Sequence, residues 1–537
     1  MSRTDLLDGP ALPHPPAPTE EPDAADFAIP AAGLGNEQRL RALDRLDGYL
    51  TRKRRNLLGY QATQEMGGCA FDLGRFLQHN INNLGDPFQS GGYKPNTKVV
   101  ERAVLDYYAA LWHANGPHDP ADPESYWGYV LSMGSTEGNM YALWNARDYL
   151  TGKPLLRSAT GSAARSNSLP PVAFYSEDTH YSFAKAVRVL GVETCHAVGT
   201  EQYPGECPLE GDWPTEVPSR SGPSGSSWDG TGEIDVDALA ALVEFFAAKG
   251  HPIFVSLNLG STFKGAHDDV RQVCERLLPI FERHGLIRAE VTHGRDPQTG
   301  APRTDLRRRF WIHVDGALGA GYAPFLRMAT ADPSFGWTPD TALPEFDFGL
   351  TLPTREFGDL DLISSIAMSG HKWPGAPWPC GIYMTKVKYQ VSPPSQPDYT
   401  GAPDTTFAGS RNGFSPLILW DHLSRHSHRD QVDRIRRAQE LAAYLEQRLR
   451  LLELSHHLTL WPARTPGAIT VRFRRPSPAL VTKWSLSSQD VLTTPGDEST
   501  RRSYVHVFLM SSVDRPKLDA LLADLTDDPT LRTPPLS

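Results

Sequence analysis

Apolar and polar positions change rhythm several times along the chain, and each rhythm predicts an element. Leu40, Leu43, Leu46 and Leu50 recur at three- and four-residue spacing, which predicts a helix over 36–55 with Asn36 as its N-cap. Val100, Val104, Tyr107 and Leu111 lie on one stripe of a second helix over 99–113. From Trp127 short apolar runs predict strands at 127–131, 172–175, 252–257, 310–314 and 360–368. Helical spacing fills the gaps at 137–150, 182–190, 234–249 and 270–284. Apolar strands alternating with helices predict an α/β fold with a mostly parallel central sheet flanked by helices. Ligands of such a sheet collect at the carboxyl ends of its strands. After residue 423 a helix (432–452), strands (468–473 and 503–510) and a last helix (515–525) predict a smaller α+β domain.

Composition sets the limits. Residues 1–35 are rich in Pro, Ala and acidic side chains and are expected to be a disordered tail. The expected organisation is then a helical N-terminal segment over 36–115, a large ligand-binding domain over 116–423 and the small domain over 424–537. Of 537 residues, 53 are Lys or Arg and 63 are Asp or Glu, a net charge of −10. That balance gives no basic stripe for nucleic acid and no polybasic patch for a membrane. The five cysteines have neither zinc spacing nor a disulfide framework, so a cytoplasmic protein without a metal site is expected. No apolar run reaches the roughly 18 residues of a membrane span.

The chemistry sits where the strands end. Gly370-His371-Lys372-Trp373-Pro374 follows the strand over 360–368. A lysine hemmed in by Gly, His, Trp and Pro is a candidate for a lowered pKa, as a Schiff base to an aldehyde cofactor requires. Ser135 and Thr136, between a strand and a helix N-terminus, make a phosphate cradle of hydroxyls, backbone N–H groups and helix dipole. His180 follows the strand over 172–175, Thr262 that over 252–257, and Asp315 and Ala317 that over 310–314. Ser369 stands beside His371. An imidazole, a carboxylate, a lysine and a phosphate cradle on one sheet edge suit pyridoxal 5'-phosphate. Lys372 would form the Schiff base, Asp315 would keep the pyridine nitrogen protonated, and Ala317 and His180 would flank the ring. Ser135, Thr136 and His371 would address the phosphate. Tyr60, Gln64, His79 and Trp373 are candidates for the substrate side chain. No Arg or Lys clearly awaits an acidic substrate.

The ordered set Ser135-Thr136-Glu137-Gly138-Asn139, Asp178-Thr179-His180-Tyr181-Ser182, His313-Val314-Asp315-Gly316-Ala317 and Ser369-Gly370-His371-Lys372 resembles the group II pyridoxal-phosphate-dependent amino-acid decarboxylases. Within them it is similar to the bacterial histidine, valine and methionine branch, which Gly409-Ser410-Arg411-Asn412-Gly413 also matches. The resemblance runs from about residue 58 to about 423 and implies a fold-type I enzyme, a homodimer with active sites at the subunit interface. It implies that Asn82 and Asn83 lie near the substrate carboxylate, Thr262 near the ring, and Ser410 at the partner's phosphate. It also implies that Tyr399, in a Pro- and Gly-rich lid, protonates Cα. Two departures stand out: Gly316 where the family commonly has Ala, and Trp373 and Trp378 beside the lysine. The expected reaction is decarboxylation of an L-amino acid with an aliphatic or thioether side chain (valine, leucine or methionine). Histidine is the alternative substrate, and an aminotransferase using Arg472 or Arg474 is the alternative activity.

Overall fold

The computed structural model describes residues 22–532 except 65–71, 157–168, 340, 342, 345, 394–400, 402, 407, 495 and 496. They form two compact units that divide between Leu57 and Leu58. In the first unit α1 runs Asn36–Arg55, with Gly35 rather than Asn36 at the cap. The Asn36 side chain instead accepts from Arg39 at 2.9 Å. Ahead of it the expected disorder gives way to one helical turn, Ala24–Phe27, capped by Asp23. Asp26 of that turn pairs with Arg45 of α1 at 2.6 Å, which offsets part of the ordering cost.

The second unit holds a seven-stranded sheet. In chain order its elements are α2 (Lys98–Leu111), β1 (Tyr126–Leu131), α3 (Ser135–Leu150), β2 (Val172–Phe174), α4 (Ser182–Leu190), β3 (Glu193–Thr194), α5 (Cys195–Gln202), α6 (Val236–Ala248), β4 (Ile253–Asn258) and α7 (Val270–Arg283). A hairpin, β5 (Ala289–Arg295) and β6 (Pro302–Arg307), leads into β7 (Phe310–Asp315) and α8 (Ala323–Ala331). A second short pair, β8 (Thr351–Pro353) and β9 (Asp359–Asp361), precedes β10 (Ile363–Ser369) and β11 (Gly381–Lys386). The sheet order is β1-β11-β10-β7-β4-β2-β3. All pairings are parallel except those of β11 with β1 and β10.

Every residue of β1, β4, β7, β10 and β11 is buried. A sheet covered on both faces reads as continuous apolar runs rather than alternation. Helix α4 shows how the covering layer is made: Phe183, Ala186 and Val187 point inward, and burying a ring such as Phe183 contributes about 1.5–3 kcal/mol. Sequence patterning overlooks β11, the one reversed strand of the seven-stranded sheet, and the charged hairpin β5–β6, where exposed positions alternate with half-buried ones.

The chain continues through α9 (Phe414–Arg425), α10 (His428–His456), β12 (Thr470–Arg474), α11 (Pro478–Lys483), β13 (Ser487–Leu492), β14 (Arg501–Phe508) and α12 (Arg515–Asp527). The three strands form an antiparallel sheet, β12-β14-β13. Its Val471, Phe473, Val505 and Val507 are fully buried, and α10 packs on β12 and α12. Among the described residues no helix is long and apolar enough to cross a membrane.

Candidate active site

Parallel register brings the strand ends level. Asp315, last in β7, stands opposite Asn258 of β4 and Ala367 of β10. Its carboxylate accepts from Ser135 Oγ at 3.1 Å, Asn139 Nδ2 at 2.7 Å and the Ala317 N–H at 3.1 Å. Behind Asn139 runs a satisfied chain. Trp311 Nε1 donates to Ser365 Oγ at 2.9 Å, which lies 2.9 Å from His313 Nδ1, and His313 Nε2 lies 3.0 Å from Asn139 Oδ1. Since Asn139 Nδ2 faces Asp315, its oxygen accepts, and His313 must carry its proton on Nε2. Burial pushes His313 down to about 4, so it is neutral.

A cavity of about 260 Å³ lies over this carboxylate and takes Ser135, Thr136, His180, Thr262, Ala317, Ser369, His371 and Lys372 among its walls. Burial lowers the Lys372 ammonium, with Asp315 opposing the shift. Burial, then the Lys372 charge, lowers His180, whose Nδ1 sits 2.7 Å from Ser182 Oγ. Burial lowers His371 too, and its Nδ1 lies 3.2 Å from the Cys380 carbonyl oxygen. At the other end α3 begins: Gly134 has φ +76°, and a Cβ there would stand 2.5 Å from the His371 ring. Ser369 Oγ accepts from the Ser135 N–H at 3.0 Å. Glu137 ties the turn down by accepting from the N–H groups of Ser132 (2.7 Å) and Met133 (2.8 Å). Gly316 is explained as well, since a Cβ there would meet that of Ala320 at 2.4 Å.

A second cavity, about 680 Å³, shares His180, Thr262, His371 and Lys372 with the first and adds Tyr60 and Gln61. The remaining expected residues lie elsewhere. Gln64 lines neither cavity, and its N–H donates to Ser512 Oγ at 3.2 Å. Trp373 lines neither, contrary to expectation: it is fully buried, with its ring 5.3 Å from that of Tyr322. Asn83 is also spent inside the chain, donating to Glu101 Oε2 at 2.8 Å and accepting from the Thr97 N–H at 2.8 Å. Asn82 and Ser410 come together, Nδ2 to Oγ at 3.0 Å, where Ser410 is exposed. His79 is exposed too. Tyr399 lies outside the described residues.

Residue-by-residue reasoning passed over Asn139, His313 and Asn258. Each left a signal. Asn139 is one helical turn after Ser135, His313 shares a strand face with Asp315, and Asn258 ends a neighbouring strand.

The residues present fit pyridoxal phosphate: a helix N-terminus whose Gly134 leaves no room for a side chain, a lysine with a lowered pKa, and a buried carboxylate aligned by three donors. Fold and site together define a fold-type I pyridoxal-phosphate enzyme. No family model matches the chain. A histidine decarboxylase of Mesorhizobium japonicum is 31% identical over 451 residues, covering 81% of this chain and 92% of that one. The chain belongs to the group II pyridoxal-phosphate-dependent amino-acid decarboxylases, which disposes of the aminotransferase alternative. An L-methionine decarboxylase from Streptomyces sp. 590, solved in its internal aldimine form, is 75% identical, with TM-score 0.92, covering 95% of this chain and 99% of that one. A sphingosine-1-phosphate lyase of Burkholderia pseudomallei (16% identity, TM-score 0.59, covering 94% and 93%) shares the fold alone.

Proposed function

We propose that this enzyme decarboxylates L-methionine to 3-methylthiopropylamine and carbon dioxide. One observation carries the choice among the branch's substrates: the 75% identity, over nearly the whole of both chains, to an L-methionine decarboxylase. The 31% identity to a histidine decarboxylase is distant by comparison.

When bound, pyridoxal phosphate supplies the electron sink for the pair freed as the carboxylate leaves Cα. The chain's own residues do the rest. Ser135, Thr136, Ser369 and His371 would hold the phosphate at the start of α3, where N–H groups and dipole favour an anion. Asp315 would hold the proton on the ring nitrogen. The Asn139–His313–Ser365 chain fixes the orientation of its carboxylate. Ala317, Thr262 and His180 would border the ring. Lys372, with its proton affinity lowered by burial, would be the amine that holds the cofactor's aldehyde carbon. Tyr399 is assigned the proton that Cα receives, by family likeness. Tyr60 lines the outer cavity, through which the amino acid would enter.

The dimer belongs to the same proposal. Asn82 and Ser410, 328 positions apart, meet without lining either cavity of their own chain. Such a pair supports a shared site, in which Asn82 and Ser410 would serve a second copy, with His79 nearby in sequence. The helical segment over 36–115 is the part assigned to the dimer and the substrate pocket, ahead of the large domain over 116–423 and the small domain over 424–537. A cytoplasmic location fits the free cysteines Cys195, Cys207, Cys274 and Cys380.

The test is a screen of single amino acids for carbon dioxide and amine release without a keto-acid acceptor. Methionine should lead by at least tenfold in kcat/KM. Histidine or another amino acid in first place would refute the substrate, and no release from any would refute the reaction.

A further inference from the structure

Arg434, on α10, is buried, yet it makes no ion pair with a carboxylate among the described residues. Its partners are neutral. Nη1 lies 3.0 Å from His422 Nε2 and donates to Gln431 Oε1 at 3.0 Å. Nη2 donates to the Trp373 carbonyl at 3.3 Å and to Ser511 Oγ at 3.1 Å. The guanidinium also lies over the Trp373 ring, 5.4 Å from its centroid. His422 must accept, because an arginine only donates. Burial, then the Arg434 charge, pushes His422 down to about 3, so the cation gains no counter-ion there. A buried, uncompensated charge is costly, and a packed apolar side chain would be cheaper for stability alone.

The arrangement has a use because of what the donors reach. Trp373 follows Lys372. Its carbonyl takes the Arg434 hydrogen bond and one from Thr63 Oγ1 at 3.4 Å, while the Thr63 N–H donates to the Lys372 carbonyl at 3.4 Å. Ser511, the other Nη2 partner, donates back to Thr63 Oγ1 at 3.4 Å. The next residue, Ser512, accepts from the Gln64 N–H at 3.2 Å. The guanidinium bonds two segments remote in sequence, the lysine loop and the loop after β14, and both of these bond Thr63 of the strip Gln61–Gln64 beside the outer cavity. Gly375 allows the strip its approach, since a Cβ there would stand 2.8 Å from Thr63.

We infer that Arg434 is a positioning residue that sets the distance between the lysine loop and the substrate-side strip Gln61–Gln64, and through it the choice of amino acid. Hydrogen bonds from a charged donor are the strong ones, and a fork with two ends can fix two carriers at once. The inference rests on the decarboxylase reading, and any substrate the enzyme turns over can report it.

The test compares Arg434→Met, Arg434→Lys and Ser511→Ala with the parent as holoenzymes, measuring kcat and KM for methionine and leucine, cofactor absorbance and melting temperature. Arg434→Met should keep the visible absorbance but lose about 100-fold in kcat/KM, mainly through KM, as misplacement by about an ångström does. The methionine-to-leucine ratio should fall with it. Arg434→Lys should recover part of both, and Ser511→Ala should shift the ratio in the same direction by less. If Arg434→Met does not fold, the other two variants decide. An unchanged ratio and KM in Arg434→Lys and Ser511→Ala, whatever the melting temperature, would overturn the inference. Failure of the parent on every amino acid would refute the decarboxylase reading instead.

Discussion

Asp315 and Asn83 are both buried polar side chains that the sequence marks as site residues, but their surroundings differ. Asp315 receives three donors from three directions and still borders a cavity. Asn83 gives its amide to Glu101 and its oxygen to Thr97 and borders none. The regions around them differ in the same way. Beneath the cofactor cavity the support is neutral, a relay of indole, hydroxyl, imidazole and amide ending at a single carboxylate. Around Asn83 it is ionic: Glu101 pairs with Arg411, takes the Val130 N–H at 2.9 Å, and Arg411 reaches the Gly85 carbonyl at 2.9 Å. Neutral support leaves one charge to act on a ligand, whereas paired charges cancel each other and fasten segments together.

The widest break in this comparison should come from Asp315→Asn. The substitution keeps size and most acceptors but removes the charge that would hold the ring-nitrogen proton. We expect a loss of roughly 100- to 1,000-fold in kcat, the scale of removing one preorganised electrostatic group. The melting temperature should fall only modestly, because Ser135 and the Ala317 N–H can still donate to the amide oxygen although the new NH2 meets the Asn139 donor. Stopped-assay kinetics beside a melting curve would show both, and a variant with near-parental kcat would take the central role from Asp315.

What the sequence made legible follows the same division. Lys372, His180, Asp315 and the Ser135–Thr136 turn each follow an apolar run, and a parallel sheet puts the ends of such runs on one edge whatever the loops do. Asn83 and Trp373 carry a substrate expectation yet line neither cavity, because nothing local tells an amide or indole facing a cavity from one facing a neighbour 18 or 61 positions away. The strand β11 escaped for a related reason. It runs against its neighbours after a Pro- and Trp-rich turn, so the βαβ rhythm that predicts the others does not extend to it. Asn139 and His313 stand inside the motifs around Ser135 and Asp315, but their role appears only when α3 packs on β7.

A smaller effect, on stability rather than turnover, should follow Glu101→Gln. Arg411 would keep its buried charge and lose its carboxylate, and uncovering one partner of a buried pair costs about 3–5 kcal/mol. Denaturant unfolding should show that loss, while the surviving folded enzyme keeps its visible absorbance and a KM within about twofold. A large rise in KM at unchanged stability would instead place the Asn83 segment at the substrate and erase the distinction drawn here.

The mildest test varies pH alone. The buried imidazoles pushed down by burial include His267 and His313, to about 4, and His422 and His506, to about 3. An unfolded histidine titrates near 6.5. Above that value both states are neutral and these groups add no pH dependence. Below it the unfolded chain takes up protons that the folded chain refuses, so stability falls as pH drops from about 6.5 and levels off only near the folded values of 3 to 4. The melting temperature should therefore decline from pH 6.5 to pH 4.5. His313→Asn should flatten the decline by about one group's share, at some cost in overall stability, because an amide can neither be charged nor reproduce the ring's two-ended bridge from Ser365 to Asn139. If His313→Asn gave a curve parallel to the parent's, the neutral support beneath Asp315 would not be part of what makes the fold acid-sensitive.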